Sequence, residues 1–443
     1  MMLENRVMDV TKADTKILFI NPCLRPGGHT KLLPVGLGSV MTYFKERDYN
    51  FTLLDIDINE YDDEYVENYL KNNKFDFILF GTLITHYKWI KWLVNTAKKY
   101  QPTSYVLVGN SVASSIPELF LQKTKADIVI IGEGEISAYE SVDAIRLKKS
   151  LETVNGIAFR NSNDEIKINE PRKVGNINDF SNIDWDFFDV ERYLQMPSVK
   201  ADREKDITRA MPIITARGCA FKCTFCHYVF WNDPYRNRSP ISVVEEIKNL
   251  IEKYHVTHVD FWDDLSFASA HQVEKMCDKI IESGLKFKWM ASVRVDLFSR
   301  ANLSSTEALR AAKKMKQSGC YDVGFALESG NQEILEMNIL AILGCLSALK
   351  LDLNLIKKIK DIHPTEGRGQ IKNFSFKGNK IKITDHAYNA SPISMNSTIE
   401  SNETSLGLNF LKPLAGRGGG GRADRWRCPQ QHPAHKPSRP RCA

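Results

Sequence analysis

The sequence predicts an α/β chain with two parallel-sheet regions in tandem, an open doubly wound domain and then part of a (β/α) barrel. Three observations carry this. Between residues 16 and 147, short apolar runs alternate with amphipathic helical patterns, the mark of βαβ crossovers around a buried sheet. The same alternation returns from 242 to 327 with polar residues gathered at the strand ends, as a barrel rim requires. Between the two, directly after a strand, three cysteines crowd into one loop.

The first region reads in order as strand 16–20 (KILFI), stopped by Asn21-Pro22, then a helix from Gly36 to Arg47. Strand 51–56, helix 60–71, strand 75–80, helix 87–99, strand 104–108, helix 116–122, strand 127–131 and helix 135–147 follow. This domain spans 15–150, and its ligands belong at the carboxyl ends of its strands. There, Gly132-Glu133-Gly134-Glu135 follows strand 127–131 and opens a helix, so its amides face the crevice where a cofactor would lie. Two acids make it a poor phosphate cradle, and a tight turn with Glu135 complementing the helix dipole is an equally simple reading. Gly109-Asn110-Ser111 has the same placement. Residues 151–205 form a hairpin (156–172, around an Asn-Ser-Asn-Asp turn) and a linker carrying Trp185, Phe187, Phe188 and Tyr193.

Composition narrows the class. Of 443 residues, 43% are hydrophobic and 26% charged, which fits a globular chain and excludes global disorder. Lys and Arg number 60 against 54 acids, and the excess of +6 is local: Arg417, Arg422, Arg425, Arg427, Lys436, Arg439 and Arg441 stand against Asp424 alone after Gly416. No basic stripe marks the main body, so no nucleic-acid partner is expected. Nine cysteines, sparse and irregular, do not make a disulfide framework and point to a cytoplasmic chain. Glu4, Asp9 and Asp14 rule against a secretory signal, and the most apolar window, Ile339 to Leu349, is too short for a membrane span.

Strand 211–216 (MPIITA) runs into Arg217-Gly218-Cys219-Ala220-Phe221-Lys222-Cys223-Thr224-Phe225-Cys226-His227. Three thiolates spaced CxxxCxxC can hold three corners of a cubane iron–sulfur cluster and leave the fourth iron open to a cosubstrate. A zinc site of the three cysteines with His227 is the competing reading, weakened because structural zinc ligands come as spaced pairs while His227 adjoins Cys226. Three merely buried thiols are the third, set against a Gly-Cys turn just past a strand. Helix 242–254, strand 257–262, helix 271–283, strand 286–292, helix 305–318 and strand 321–327 complete a partial barrel over 206–337. Its strand ends carry Asp263 and Asp264, then Arg294 and Asp296, then Glu328-Ser329-Gly330. Each acid could equally be a capping or turn carboxylate.

CxxxCxxC with an aromatic before the last cysteine resembles the signature of the radical S-adenosylmethionine enzymes. With the doubly wound domain, the GEGE loop, the hairpin and the aromatic linker ahead of it, the chain from about 15 to 337 resembles their cobalamin-binding subgroup. The resemblance implies a 4Fe-4S cluster on Cys219, Cys223 and Cys226, with S-adenosylmethionine on the open iron. It implies Phe225 near the adenine, Asp263 or Asp264 at the methionyl amino group, Glu328 at the ribose, and Gly132, Glu133, Gly134 and Glu135 at the cofactor of the first domain. The axial-histidine motif DxHxxG of many cobalamin domains is absent; the loop after strand 51–56 reads Asp55-Ile56-Asp57-Ile58-Asn59, and His29 and His86 stand outside that spacing. Cobalamin, where bound, would then lack a protein imidazole. The implied reaction is reductive cleavage of S-adenosylmethionine to a 5′-deoxyadenosyl radical that attacks a small-molecule substrate, with methyl transfer or oxidative cyclisation as outcomes. The implied electron donor is an external flavodoxin or ferredoxin.

Past Met337 the barrel pattern stops. Residues 338–415, with a hairpin at 374–383 and Asp385-His386-Ala387-Tyr388-Asn389-Ala390-Ser391-Pro392-Ile393-Ser394-Met395, resemble a short α+β fragment of the Mur ligase that adds D-alanyl-D-alanine to UDP-muramoyl tripeptide. His386 and Ser391 depart from that pattern, and no GxxxxGK[ST] loop occurs, so ligase activity is not expected. From 416 to 443 a Gly-, Arg- and Pro-rich run reads as a disordered basic tail. The alternative to an enzyme is a truncated fusion that binds cluster or corrinoid without turnover.

Overall fold

The computed structural model describes residues 11–26, 31–161, 163–180, 182–195, 209–221, 233–298, 303–325, 370–376 and 379–385. Two compact units divide the chain, one holding residues 1–328 and 333–363, the other 329–332 and 364–443.

The first unit opens with β1 (Ile17–Asn21), buried along its whole length, followed by α1 (Val35–Lys45) and β2 (Phe51–Asp55). A strand apolar on both faces can only sit inside a covered sheet, and β1 pairs in parallel with β2 on one side and with β3 (Phe77–Gly81) on the other. The helix read at 60–71 starts at Asp63, and a short extra helix precedes it. Asp55 caps a short α2 (Ile56–Asn59), Glu60 turns left-handed at φ 53°, and Asp62 restarts the chain as α3 (Asp63–Asn72) by accepting from the Tyr65 amide. Next come α4 (Tyr87–Tyr100), β4 (Tyr105–Gly109), α5 (Ser111–Ser114), α6 (Pro117–Lys123), β5 (Ile128–Ile130) and α7 (Gly134–Arg146). The hairpin, β6 (Ile157–Arg160) and β7 (Ile166–Ile168), joins the same sheet antiparallel to β5, giving the order β2-β1-β3-β4-β5-β6-β7. Strand order reverses between β1 and β3, which sets the ligand crevice at their carboxyl ends.

The aromatic linker packs inward: Trp185, Phe188 and Tyr193, the last on α8 (Val190–Gln195), are buried. A second, parallel sheet follows in the order β13-β12-β11-β8, from β8 (Ala210–Ile213), β11 (His258–Phe261), β12 (Lys288–Val293) and β13 (Cys320–Phe325). The strand read at 211–216 ends at Ile213. Its continuation, β9 (Ala216–Arg217), leaves the sheet to pair antiparallel with β10 (Arg236–Asn237). Between the strands, α9 (Pro240–Tyr254) starts on Ser239 with proline at its first position, and α10 (Ala270–Ser283) starts on Ser269 and stops at left-handed Gly284. A Ser304/Glu307 capping box opens α11 (Ser305–Gln317).

One face of the first sheet buries Leu18, Ile20, Ile78, Leu93 and Phe120. The other buries Phe19, Phe44, Phe77 and Trp185 in a cluster that continues through Met211, Phe261 and Trp289 of the second region. In the other unit, β14 (Gln370–Phe376) and β15 (Asn379–Asp385) form the antiparallel hairpin that the sequence places at 374–383. Among the described residues, no helix is long and apolar enough to cross a membrane.

Candidate functional site

The cysteine loop springs from a narrow stem. Ala216 faces Asn237 and Arg217 faces Arg236 in the β9–β10 pair. Gly218 follows at φ +78°, and a Cβ there would lie 2.7 Å from the Pro234 carbonyl oxygen, so this turn needs glycine on both counts. Cys219, a partly buried free thiol, comes next. Cys223, Phe225 and Cys226 lie outside the described residues, as do Glu328, His29 and the DHAYNASPISM stretch from His386 onward.

Asp263, at the end of β11, accepts from the Thr215 amide (2.7 Å), the Thr215 hydroxyl (2.6 Å) and the Ala216 amide (3.0 Å). The carboxylate thereby fixes the segment between β8 and the stem. Burial pushes its pKa up to about 6, with the three hydrogen bonds pulling the other way. Asp264 is exposed at the same strand end. The Arg294 guanidinium lies 4.0 Å from the ring centre of Phe221, in the cysteine segment, and also bonds Asp296 at 3.0 Å. Tyr235, beside the stem, donates to the Ser266 carbonyl at 3.0 Å.

Both acids of the Gly132–Glu135 loop hold arginines of this stem. Glu135, 4% exposed, accepts from Ser39 Oγ (2.6 Å) and from Arg217 Nη2 (2.6 Å). Glu133 pairs with Arg217 Nη1 at 3.3 Å and with Arg236. Burial pushes the Glu135 carboxyl up, but the Arg217 charge and its hydrogen bonds outweigh this and hold it below the ordinary carboxylate range. The sequence shows these acids; their partners lie about a hundred residues or less downstream and carry no local signal beyond two arginines flanking the cysteines.

The crevice of the first domain is built at the ends of β1 to β4. Gly81 and Gly109 approach so closely that a Cβ on Gly81 would meet Gly109 backbone at 2.9 Å. Asn110 stands at φ 61° and ψ −177°, a region that glycine alone takes readily, with its side chain accepting from the Ser111 amide. The buried hydroxyls of Thr82 and Ser115 have no partner among the described residues. A floor without side chains beside unsatisfied polar atoms fits a broad ligand with a polar edge. Beside it, Asn21 donates to Asp55 (2.8 Å) and Tyr193 bonds the same carboxylate at 2.9 Å. Burial raises Asp55, against the pull of Asn21 and Tyr193. His86 stacks on Trp89, and burial lowers its pKa.

A doubly wound ligand crevice ahead of a cysteine loop on a parallel (β/α) sheet defines a protein with two tandem cofactor domains. Residues 29–141 match the B12 binding domain family and residues 213–342 the Radical SAM superfamily. The chain therefore carries a B12-binding domain followed by a radical SAM domain. An uncharacterized methyltransferase of Pyrococcus horikoshii is 28% identical over 54% of this chain and 49% of its own length. The anaerobic magnesium-protoporphyrin IX monomethyl ester cyclase of Rubrivivax gelatinosus is 25% identical over 73% of this chain and 57% of its own. The solved structure of the cobalamin-dependent S-adenosylmethionine radical enzyme OxsB, with aqua-cobalamin and S-adenosylmethionine bound, superposes with a TM-score of 0.64 at 19% identity, covering 76% of this chain and 48% of that one. That likeness is one of fold. The chain spans about half the length of these relatives; the Radical SAM match runs to residue 342, past the start of the 338–415 stretch that the sequence likens to a Mur ligase, and none of these matches supports that ligase resemblance.

Proposed function

We propose that this chain is a cobalamin-dependent radical S-adenosylmethionine enzyme acting on a small organic substrate by methyl transfer or cyclisation. The observation that carries the reading is the stem that presents Cys219 at the carboxyl edge of a parallel sheet while its flanking arginines engage the crevice loop of the B12-binding domain. Cys219, Cys223 and Cys226 would hold the cluster, and the thiolate set fits it. When bound, cluster and cosubstrate together supply reductive cleavage of a sulfonium, at the expense of an external flavodoxin- or ferredoxin-type donor.

The chain's own residues do the positioning. Asp263 holds Thr215 and Ala216, and Asp263 or Asp264, on the same rim, is assigned by motif to the methionyl amino group. Phe225 and Glu328 are assigned to adenine and ribose by motif. The Gly81–Gly109 floor and the Thr82 hydroxyl would meet the corrinoid, and Gly132 and Gly134 lie on the loop between crevice and stem. A cytosolic location suits thiols that must stay reduced.

The test is anaerobic reconstitution of the full chain followed by iron and sulfide analysis. Bound iron that is lost in Cys219→Ala, together with 5′-deoxyadenosine release from S-adenosylmethionine, is the expected result. A colourless protein that holds stoichiometric zinc would overturn the reading.

A further inference from the structure

Arg217 and Arg236 face each other across the two-residue ladder that closes the cysteine loop. Like charges directly opposite in an antiparallel pair oppose its closure. The opposition is worse when the pair is desolvated, and the side chains of Arg217 and Arg236 are only 15% and 12% exposed. The stem has no slack to relieve it, because Gly218 already packs against the Pro234 carbonyl.

What lies between the two guanidiniums is Glu133. It pairs with Arg217 on one side and with both terminal nitrogens of Arg236 on the other. Glu135 then takes the remaining arm of Arg217 and is itself braced by Ser39 of α1. The result is an alternating chain, Arg236–Glu133–Arg217–Glu135, whose cations belong to the radical SAM domain and whose anions come from the loop after β5. The two carboxylates that ion-pair with the stem arginines thus come from outside the radical SAM domain, whose own Asp233 also lies within electrostatic reach of Arg236.

We infer that Glu133 and Glu135 are positioning residues for the metal-binding loop: the B12-binding domain neutralises the arginine pair and so holds Cys219 in register. This rests on the iron–sulfur reading of the loop. It gives the GEGE acids a task distinct from contacting the corrinoid.

The experiment uses the full chain, reconstituted anaerobically, in the forms wild type, Glu133→Gln, Arg236→Gln and the double variant. Iron release to a ferrous chelator is timed, the reduced cluster's electron paramagnetic resonance spectrum is recorded with and without S-adenosylmethionine, and aqua-cobalamin binding is titrated. Glu133→Gln leaves the arginines facing each other, so iron should leave about fivefold faster or more and the spectrum should broaden. Removing one arginine relieves the repulsion, so Glu133→Gln/Arg236→Gln should return to within about twofold of wild type, with cobalamin affinity unchanged throughout. Wild-type release and spectrum in Glu133→Gln, failure of the second substitution to rescue, or lost cobalamin affinity with an intact cluster would each overturn the inference. If Glu133→Gln does not fold, Arg217→Lys, which keeps the charge but loses the two-armed fork, should show the same faster release, and an unchanged rate there refutes the idea. A wild-type chain that takes up no iron defeats the iron–sulfur reading itself, whereas iron-loaded wild type with unaffected variants defeats the positioning role alone.

Discussion

Asp263 is placed under opposing demands. Three donors from Thr215 and Ala216 favour its charged form, while burial favours the neutral one, and burial prevails, taking the group from the ordinary 3.8 to about 6. The folded chain therefore binds this proton more tightly than the unfolded chain does. Its contribution to stability is complete below about pH 4 and is lost as pH rises through about 6. Asparagine keeps an acceptor for the backbone amides without the charge, so Asp263→Asn should flatten that part of the profile. Thermal melting of the metal-free chain at intervals from pH 4 to pH 7 should show the variant gaining on wild type as pH rises; a constant difference across that window would refute the assignment. Asp263→Ala, which strands the Thr215 and Ala216 donors, should cost about 1–3 kcal/mol at pH 7.

At the scale of elements, α9 is tied to its sheet by one buried ion pair. Arg238 bonds Glu246 on the helix, the Ile214 carbonyl at 3.0 Å and Asn182 of the linker at 2.8 Å, and both charged residues are almost wholly buried. Glu246→Ala leaves a buried guanidinium without its anion and should lower unfolding free energy by about 3–5 kcal/mol. Arg238→Met with Glu246→Leu removes both charges and should recover most of that. Urea titrations of the three chains decide it, and a double variant as weak as the single one would contradict the argument. These elements also show what a sequence makes legible. Runs such as Ile17–Asn21 and Phe77–Gly81 are apolar on both faces and announce a covered parallel sheet. The caps at Asp62 and Ser239 mark helix starts as local chemistry. By contrast, the short α2 ends on one left-handed residue, Glu60, and the inward packing of Trp185 and Tyr193 depends on contacts made across more than a hundred residues. The Gly132–Glu135 loop is legible as a turn at a strand end, but no spacing rule links Glu133 to Arg236. Long-range pairing of this kind is decided by the fold, because a charged side chain records neither its partner nor its distance.

Across the first unit, one of the two apolar clusters is continuous from sheet to sheet. The cluster that begins with Phe19 and Phe77 on the first sheet passes through Trp185 and Phe188 of the linker to Met211, Phe261 and Trp289 on the second. Desolvated polar links run along the same route: Tyr193 of the linker reaches Asp55 and Asn21 in the first sheet, and Arg217 reaches Glu135. Two regions that share a core and exchange buried hydrogen bonds lose both sets of contacts together, so opening one exposes apolar surface of the other. Calorimetry of the full chain should accordingly show the two sheets melting in one endotherm. Tyr193→Phe withdraws the hydroxyl from a carboxylate that stays buried, at about 1–3 kcal/mol, and should move that endotherm downward as a unit. Separate transitions in wild type, or a Tyr193→Phe trace in which one sheet's transition shifts while the other's stays in place, would mean that the linker merely lies against the sheets and does not couple them.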